Sequence, residues 1–179
     1  MQSSFFVDAP LVFIITNAFF IYIKIFFGIF FMSEIDDIYD LRRFIQAQDG
    51  VYQEVLAELR AGRKRGHWMW FIFPQIRGLG QSGMARRFAI SGRREAAAYL
   101  GHGVLGARLR QCTRIVLDVP GRTAEQIFYY PDNLKFRSSM TLFMNAAGDN
   151  RIFKDAIQKY FGGEPDALTL EVLRQEDAE

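Results

Sequence analysis

The chain has 179 residues, 50% of them apolar and 23% charged, which suits one domain with its own core and not a disordered polymer. Lys+Arg 22 against Asp+Glu 20 leave a net charge of +2, too small for a general polyanion binder. One cysteine excludes an internal disulfide or a cysteine-based zinc site, and two histidines exclude a multi-histidine metal cage.

Residues 1–31 stand apart from the rest. They hold nine of the 18 phenylalanines, no arginine and only two charges, Asp8 and Lys24. From Leu11 to Met32 the chain is almost wholly apolar, long enough to span a bilayer as a helix. Asp8 and the lack of a small-x-small site before Ser33 fit a secretory signal poorly. Three readings stand: a membrane anchor, upstream sequence ahead of a true start at Met32, and a buried hydrophobic hairpin. Every arginine and four of the lysines follow Met32, which favours the start there. Residues 32–179 are read as the functional unit.

That unit reads as a string of short helices. Ser33 with Asp36 can cap a first one, carrying Ile38, Leu41, Phe44 and Ile45 at helical spacing. Asp49-Gly50 breaks it and can cap a second, with Tyr52, Val55, Leu56 and Leu59 on one face and Gly62 at its stop. Helices are expected around Met84–Ile90 and Arg93–Leu100. The longest runs from near Val104 to before Pro120, with a stripe of Leu105, Leu109, Cys112 and Val116. Cys112 on that stripe is read as a packed core thiol. His102, between two glycines, reads as a loop or helix-start residue. Thr123 with Gln126 forms a capping box for a short helix through Phe128. Ser138 or Ser139 is expected to open a helix through Ala147. Asn150 is expected to cap Arg151–Phe161, ended by Gly162-Gly163, and Pro165-Asp166 leads to a last helix. No region alternates at period two. The fold class is all-α: a single compact multihelical domain of short helices behind a hydrophobic N-terminal segment.

Residues 63–82 look least like packing alone. Both tryptophans, Trp68 and Trp70, lie here, preceded by Arg63, Lys64 and Arg65 and followed by Gln75 and Arg77. Rings can stack a base while neighbouring cations meet phosphate. His67 carries the side-chain type best suited to acid–base work near neutral pH, which makes it the candidate for proton transfer. Gly78-Leu79-Gly80-Gln81-Ser82-Gly83 matches the dinucleotide pattern G-x-G-x-x-G to the letter. That pattern needs a strand before it and an acid about 20 residues on. Pro74 interrupts the preceding run and Glu95 comes too early, so a Rossmann site is not expected. A glycine-rich loop entering a helix can still offer backbone N–H groups to an anion, with Arg86 and Arg87 nearby. A second polar cluster, Asp132 to Thr141, sets Lys135 and Arg137 before Ser138 and Ser139, hydroxyls expected at a helix start. They can hold phosphate or simply cap.

The run Gly62-Arg63-Lys64-Arg65-Gly66-His67-Trp68-Met69-Trp70-Phe71-Ile72-Phe73-Pro74-Gln75, followed by Gly78-Leu79-Gly80, resembles the signature of the bacterial domain of unknown function family 1810. Asp40-Leu41-Arg42-Arg43-Phe44, Leu105-Gly106 with Arg108-Leu109, Ser138-Ser139-Met140-Thr141-Leu142-Phe143 and Phe161-Gly162-Gly163 are similar to it as well. The likeness covers essentially 36–173. It implies a small, mostly helical, cytoplasmic domain, and supplies no activity and no cofactor. Some members carry the label calpastatin. Calpain inhibitors of that name resemble disordered chains, whereas this sequence has a patterned core. Members often have serine, tyrosine and proline where this chain has Gly66, Phe88 and Gly103, which weakens any role for those positions.

Two functions follow as expectations. The first is a site for a phosphate-bearing or nucleotide-like small molecule, an enzyme or a simple binder. In it Lys64 and Arg65 neutralise charge, Trp68 or Trp70 stacks, and Gln75 bonds a polar edge. Lys135, Ser138 and Ser139 hold the anion if the two clusters meet, and His67 moves a proton. The alternative is a non-catalytic module that meets single-stranded nucleic acid or a protein through a Trp/Arg surface. Neither calls for a metal or a cofactor, and a membrane enters only if residues 1–31 are genuine.

Overall fold

A computed structural model describes residues 37–146 and 148–176. The chain divides into two compact units, 1–40 and 41–179. Of the first, the described part is a turn in which the Asp40 N–H donates to the Asp37 carbonyl at 2.9 Å. The readings of residues 1–31 and of Ser33 as a cap lie outside the described residues.

The second unit holds ten helices among the described residues: α1 (Arg42–Asp49), α2 (Tyr52–Arg60), α3 (Met69–Ile72), α4 (Gly83–Arg87), α5 (Arg93–Gly101), α6 (Leu105–Asp118), α7 (Ala124–Phe128), α8 (Asp132–Met144), α9 (Arg151–Phe161) and α10 (Ala167–Glu176). Extended pairing among them is limited to a single parallel bridge between Ile76 and Ile90. The all-α expectation therefore holds. No helix among the described residues is long and apolar enough to cross a membrane.

Helix α8 is the hub, packing against α3, α5, α7, α9 and α10. Its residues explain this. Phe136, Met140, Leu142 and Phe143 are buried, as are Ser138, Ser139 and Thr141 between them, so the helix is covered on nearly every side. Phe136 stacks on Phe128 with ring centroids 4.7 Å apart and meets Phe73 edge-on at 5.0 Å. The small hydroxyl residues let neighbours approach, and Thr141 adds directional bonds. Its Oγ1 donates to the Arg137 carbonyl at 2.8 Å and accepts the Asp166 N–H at 2.8 Å, which fixes the start of α10. Asp166 then caps α10 by accepting from the Thr169 N–H at 2.8 Å and its hydroxyl at 2.7 Å.

Helix α6 bears the expected stripe: Leu105, Leu109, Cys112 and Val116 are all buried. Burial pushes the Cys112 thiol up to about 12, as suits a core residue. His102 serves as a helix-start residue, its Nδ1 accepting the Val104 and Leu105 N–H groups at 3.2 and 3.3 Å. Buried Gln48 donates to the Phe71 carbonyl at 2.8 Å and the Tyr99 hydroxyl at 3.1 Å, locking α1 to α3 and α5. Arg43 pairs with Glu95 at 2.5 Å and donates to the Ala89 carbonyl at 3.0 Å.

Several boundaries differ from the pattern reading. Ile38 is 78% exposed and precedes the first helix, because the helix starts only at Arg42. The helix expected through Ile90 stops at Arg87, since Ile90 is drawn into the bridge with Ile76. Ser138 and Ser139 do not open a helix: α8 begins at Asp132 and carries both serines in its buried middle. Asn150 is the N-terminal flanking residue of α9, but its amide donates to the Met144 carbonyl instead of capping.

Candidate functional site

The site begins with a clamp around Glu58. This carboxylate, at the buried side of α2, accepts the Arg65 N–H at 2.7 Å, the Gly66 N–H at 3.0 Å and the Trp68 indole N–H at 2.9 Å. Burial works against its ionisation, yet the N–H groups of Gly66 and Arg65, the indole and the Lys64 charge outweigh burial and hold the carboxyl below the usual carboxylate range. The basic stretch before the tryptophans is therefore folded onto an acid. Trp68 is 2% exposed, with Lys64 Nζ 5.1 Å from its ring centre.

Lys64 then reaches across to α8. Its Nζ pairs with Asp132 at 2.8 Å, and Lys135 pairs with the other oxygen of the same carboxylate at 2.7 Å. Burial raises the Asp132 carboxyl, but the two lysines overcome it and hold the group below its ordinary range. Lys135 also lies 4.8 Å above the Trp70 ring centre. Through Asp132 the two polar clusters of the sequence meet in space.

Beside this junction lies a cleft of about 800 Å³, within the range usual for small-molecule sites. Trp70 and Gln75 form one wall, and the loop from Gly78 to Ser82 forms its rim. Pro131, Leu134, Lys135 and Ser138 of α8 and its entry form the floor, and α10 supplies the opposite wall with Leu168, Glu171, Val172 and Gln175. A second cavity of about 210 Å³ shares Trp70, Gln75, Gly78 and Gly80 and continues over Ile76 and Phe88 to Arg77 and Arg86. Glycine is needed twice in the rim. Gly78 has φ +98°, and a Cβ on Gly80 would sit 2.4 Å from that of Ala85. The backbone N–H groups of Gly78 through Ser82 meet no acceptor among the described residues. Ser138 is 4% exposed and lines the cleft, yet its hydroxyl has no partner among the described residues.

Of the residues singled out from sequence, Trp70, Gln75, Lys135 and Ser138 line this cleft. Lys64 stands one ion pair behind it. The Arg65 side chain and His67 are exposed and line neither cavity. Trp68 is buried against Glu58, and Ser139 is fully buried with an unpartnered hydroxyl. Neither tryptophan is exposed, and Trp70 is half-buried within the cleft. No histidine lines the cleft, so its walls offer no imidazole to activate Ser138. Among the described residues, no cluster of three His, Cys, Asp or Glu side chains could hold a metal ion. The glycine-rich match follows a single bridge residue and enters a five-residue helix, so the βαβ unit of a Rossmann site is absent there. The α10 wall was missed from sequence. The Asp166–Thr169 cap was readable, but no local pattern says that the helix it starts crosses back over α8.

The model of the family described as a protein of unknown function, DUF1810, matches residues 38–173. A solved crystal structure, that of the conserved hypothetical protein Rv1873 from Mycobacterium tuberculosis, is 54% identical with a TM-score of 0.76. The match covers 77% of this chain and 99% of that one. No curated protein matches the chain. The Trp-Pro block, the serines of α8 and the helical architecture all fall inside the matched region, and the chain belongs to the DUF1810 family.

Proposed function

We propose that the cleft binds a small phosphate-bearing molecule with a flat ring, of the nucleotide kind. One observation carries the reading. Ser138, whose hydroxyl reaches the cleft without an internal partner, lines it together with Trp70, Gln75, Lys135 and a solvent-facing rim of backbone N–H groups that make no internal bond. Unsatisfied polar groups are costly unless water or a ligand meets them. In this reading Trp70 offers a ring face and Gln75 bonds a polar edge. The rim N–H groups, with Arg77 and Arg86 in the adjoining cavity, meet the anion. Charge supports an anionic end on that side only. Lys135 is already balanced by Asp132, while Glu171 and Asp166 stand on the α10 side.

The test is a thermal-shift series on the full chain with nucleotides, ADP-ribose and sugar phosphates. A ligand at 100 times its dissociation constant should add about 2.7 kcal/mol. The shift should disappear in Trp70→Ala and weaken in Ser138→Ala and Arg86→Ala. Silence across the series, or a shift that persists undiminished in Trp70→Ala, overturns the reading.

A further inference from the structure

Just before Pro131 of the cleft, but not lining it, residues 129 and 130 break two rules at once. Tyr129 has φ 62° and ψ 160°, a backbone region that is essentially reserved for glycine. Yet the position holds a large aromatic residue, and the surroundings force it there. The Tyr129 N–H donates to the Glu125 carbonyl at 2.8 Å, and its own carbonyl accepts the Asn133 N–H at 3.0 Å. The complete Thr123–Gln126 capping box fixes α7, and the Lys64 N–H holds the Ile127 carbonyl at 2.8 Å.

The second rule is burial. Tyr129 is 45% exposed and Tyr130 75%, whereas every other described Phe, Tyr and Trp ring is buried or half-buried. Two adjacent rings are thus held out to solvent at a strained position, and two arginines stand by the first of them. Arg63 lies with its guanidinium carbon 6.0 Å from the Tyr129 ring centre. Arg122 lies against Gly62 and, with Pro120, Gly121, Gln126 and Tyr129, lines an open depression of about 500 Å³. Arg60 and Arg65 are exposed nearby in the chain. The acids close in sequence are Asp118, Glu125 and Asp132, fewer than the four arginines; Asp132 is already held by Lys64 and Lys135, and Glu58 is spent on its own N–H donors.

We propose that this tyrosine–arginine face binds single-stranded nucleic acid, with bases stacked on Tyr129 and Tyr130 and phosphates met by Arg63 and Arg122. Ring faces accept any base, and the guanidinium groups set beside them match the backbone that links successive bases. The face is a second site, separate from the cleft.

Fluorescence anisotropy of the full chain with labelled 12-nucleotide oligouridylate and oligothymidylate tests it. Binding should weaken as salt rises, with log K falling by about 0.7 per log unit of salt for each phosphate contacted. Tyr130→Ala should lose about tenfold or more, in line with one lost stacked base. The double variant Arg63→Ala, Arg122→Ala should weaken binding and flatten the salt slope by roughly 1.4. Trp70→Ala should leave oligonucleotide affinity unchanged, which separates this site from the cleft. Tyr129→Gly should melt no lower than the parent, since glycine accepts this backbone, and yet bind more weakly. Absence of binding at low salt, or binding untouched by Tyr130→Ala or by the arginine pair, overturns the proposal.

Discussion

Glu58 shows how one side chain can organise a basic segment. Three neutral N–H donors converge on its carboxylate, and the charged Lys64 ammonium stands near them. Replacing it with glutamine keeps the shape but puts an NH2 group against donors. Hydrogen bonds to a charged acceptor are worth roughly 1.5–3 kcal/mol each, so Glu58→Gln should cost about 2 kcal/mol in urea unfolding at neutral pH. The folded carboxyl is depressed, so its contribution is present above the unfolded value and is lost as pH falls through the folded one. The gap between parent and variant should therefore narrow in acid. Ser139 is the opposite case. Its hydroxyl is buried without a partner, and its desolvation is not repaid. Ser139→Ala, which also improves helix propensity, should gain about 1 kcal/mol. A loss of stability would show that the hydroxyl does have a partner, such as a buried water.

At the scale of elements, local chemistry predicted best where it was self-contained. The Thr123 capping box is complete, with the Gln126 N–H donating to Thr123 Oγ1 at 3.2 Å and the Thr123 N–H donating to Gln126 Oε1 at 2.9 Å. Thr123→Ala should cost about 1 kcal/mol in thermal or urea unfolding, and it should disturb Tyr129, which ends that helix. The stripe of α6 was legible for the same reason: one face, one period, one core. The serines of α8 misled because they are capping residues by type. A run of capping residues marks a helix start only when the preceding turn is not already helical, and here Asp132 to Arg137 is. What overrode the local preference was packing around α8, which needs small residues at its middle. The cleft was half legible. Trp70, Gln75, Lys135 and Ser138 stood out as residue types, but α10 became a wall only through the long-range bond from Asp166 to Thr141. His67 and Trp68 stood out equally and lie elsewhere, one exposed and one buried on Glu58. Sequence spacing cannot distinguish neighbours that diverge at a helix start such as that of α3.

Across the whole molecule, Asp132 joins what the sequence keeps far apart. It holds Lys64 of the loop after α2 and Lys135 of α8 at 2.8 and 2.7 Å, with side chains only 10% and 23% exposed. Both lysines also rest on rings, Lys64 on Trp68 and Lys135 on Trp70, so the carboxylate sets the wall and floor of the cleft together. Removing its charge leaves two half-desolvated ammonium groups facing each other. Breaking a buried pair from one side typically costs about 3–5 kcal/mol, and Asp132→Asn should fall in that range, because its one remaining oxygen can still accept from one lysine while its NH2 group faces the other. Converting Lys64 to methionine in the same chain should recover part of that loss, a coupling that a double-mutant cycle reads directly. The pH dependence gives the sign. Because the folded carboxyl is depressed by Lys135 and Lys64 against the pull of burial, parent stability should be complete above the ordinary aspartate value of about 3.9 and decline as pH falls through the folded value. Asp132→Asn has no such group to titrate. Its melting temperature should start lower at neutral pH and approach that of the parent in acid. Parallel curves for the two proteins between about pH 5 and 2 would show that the junction contributes nothing through charge, and that shape alone holds the loop after α2 against α8.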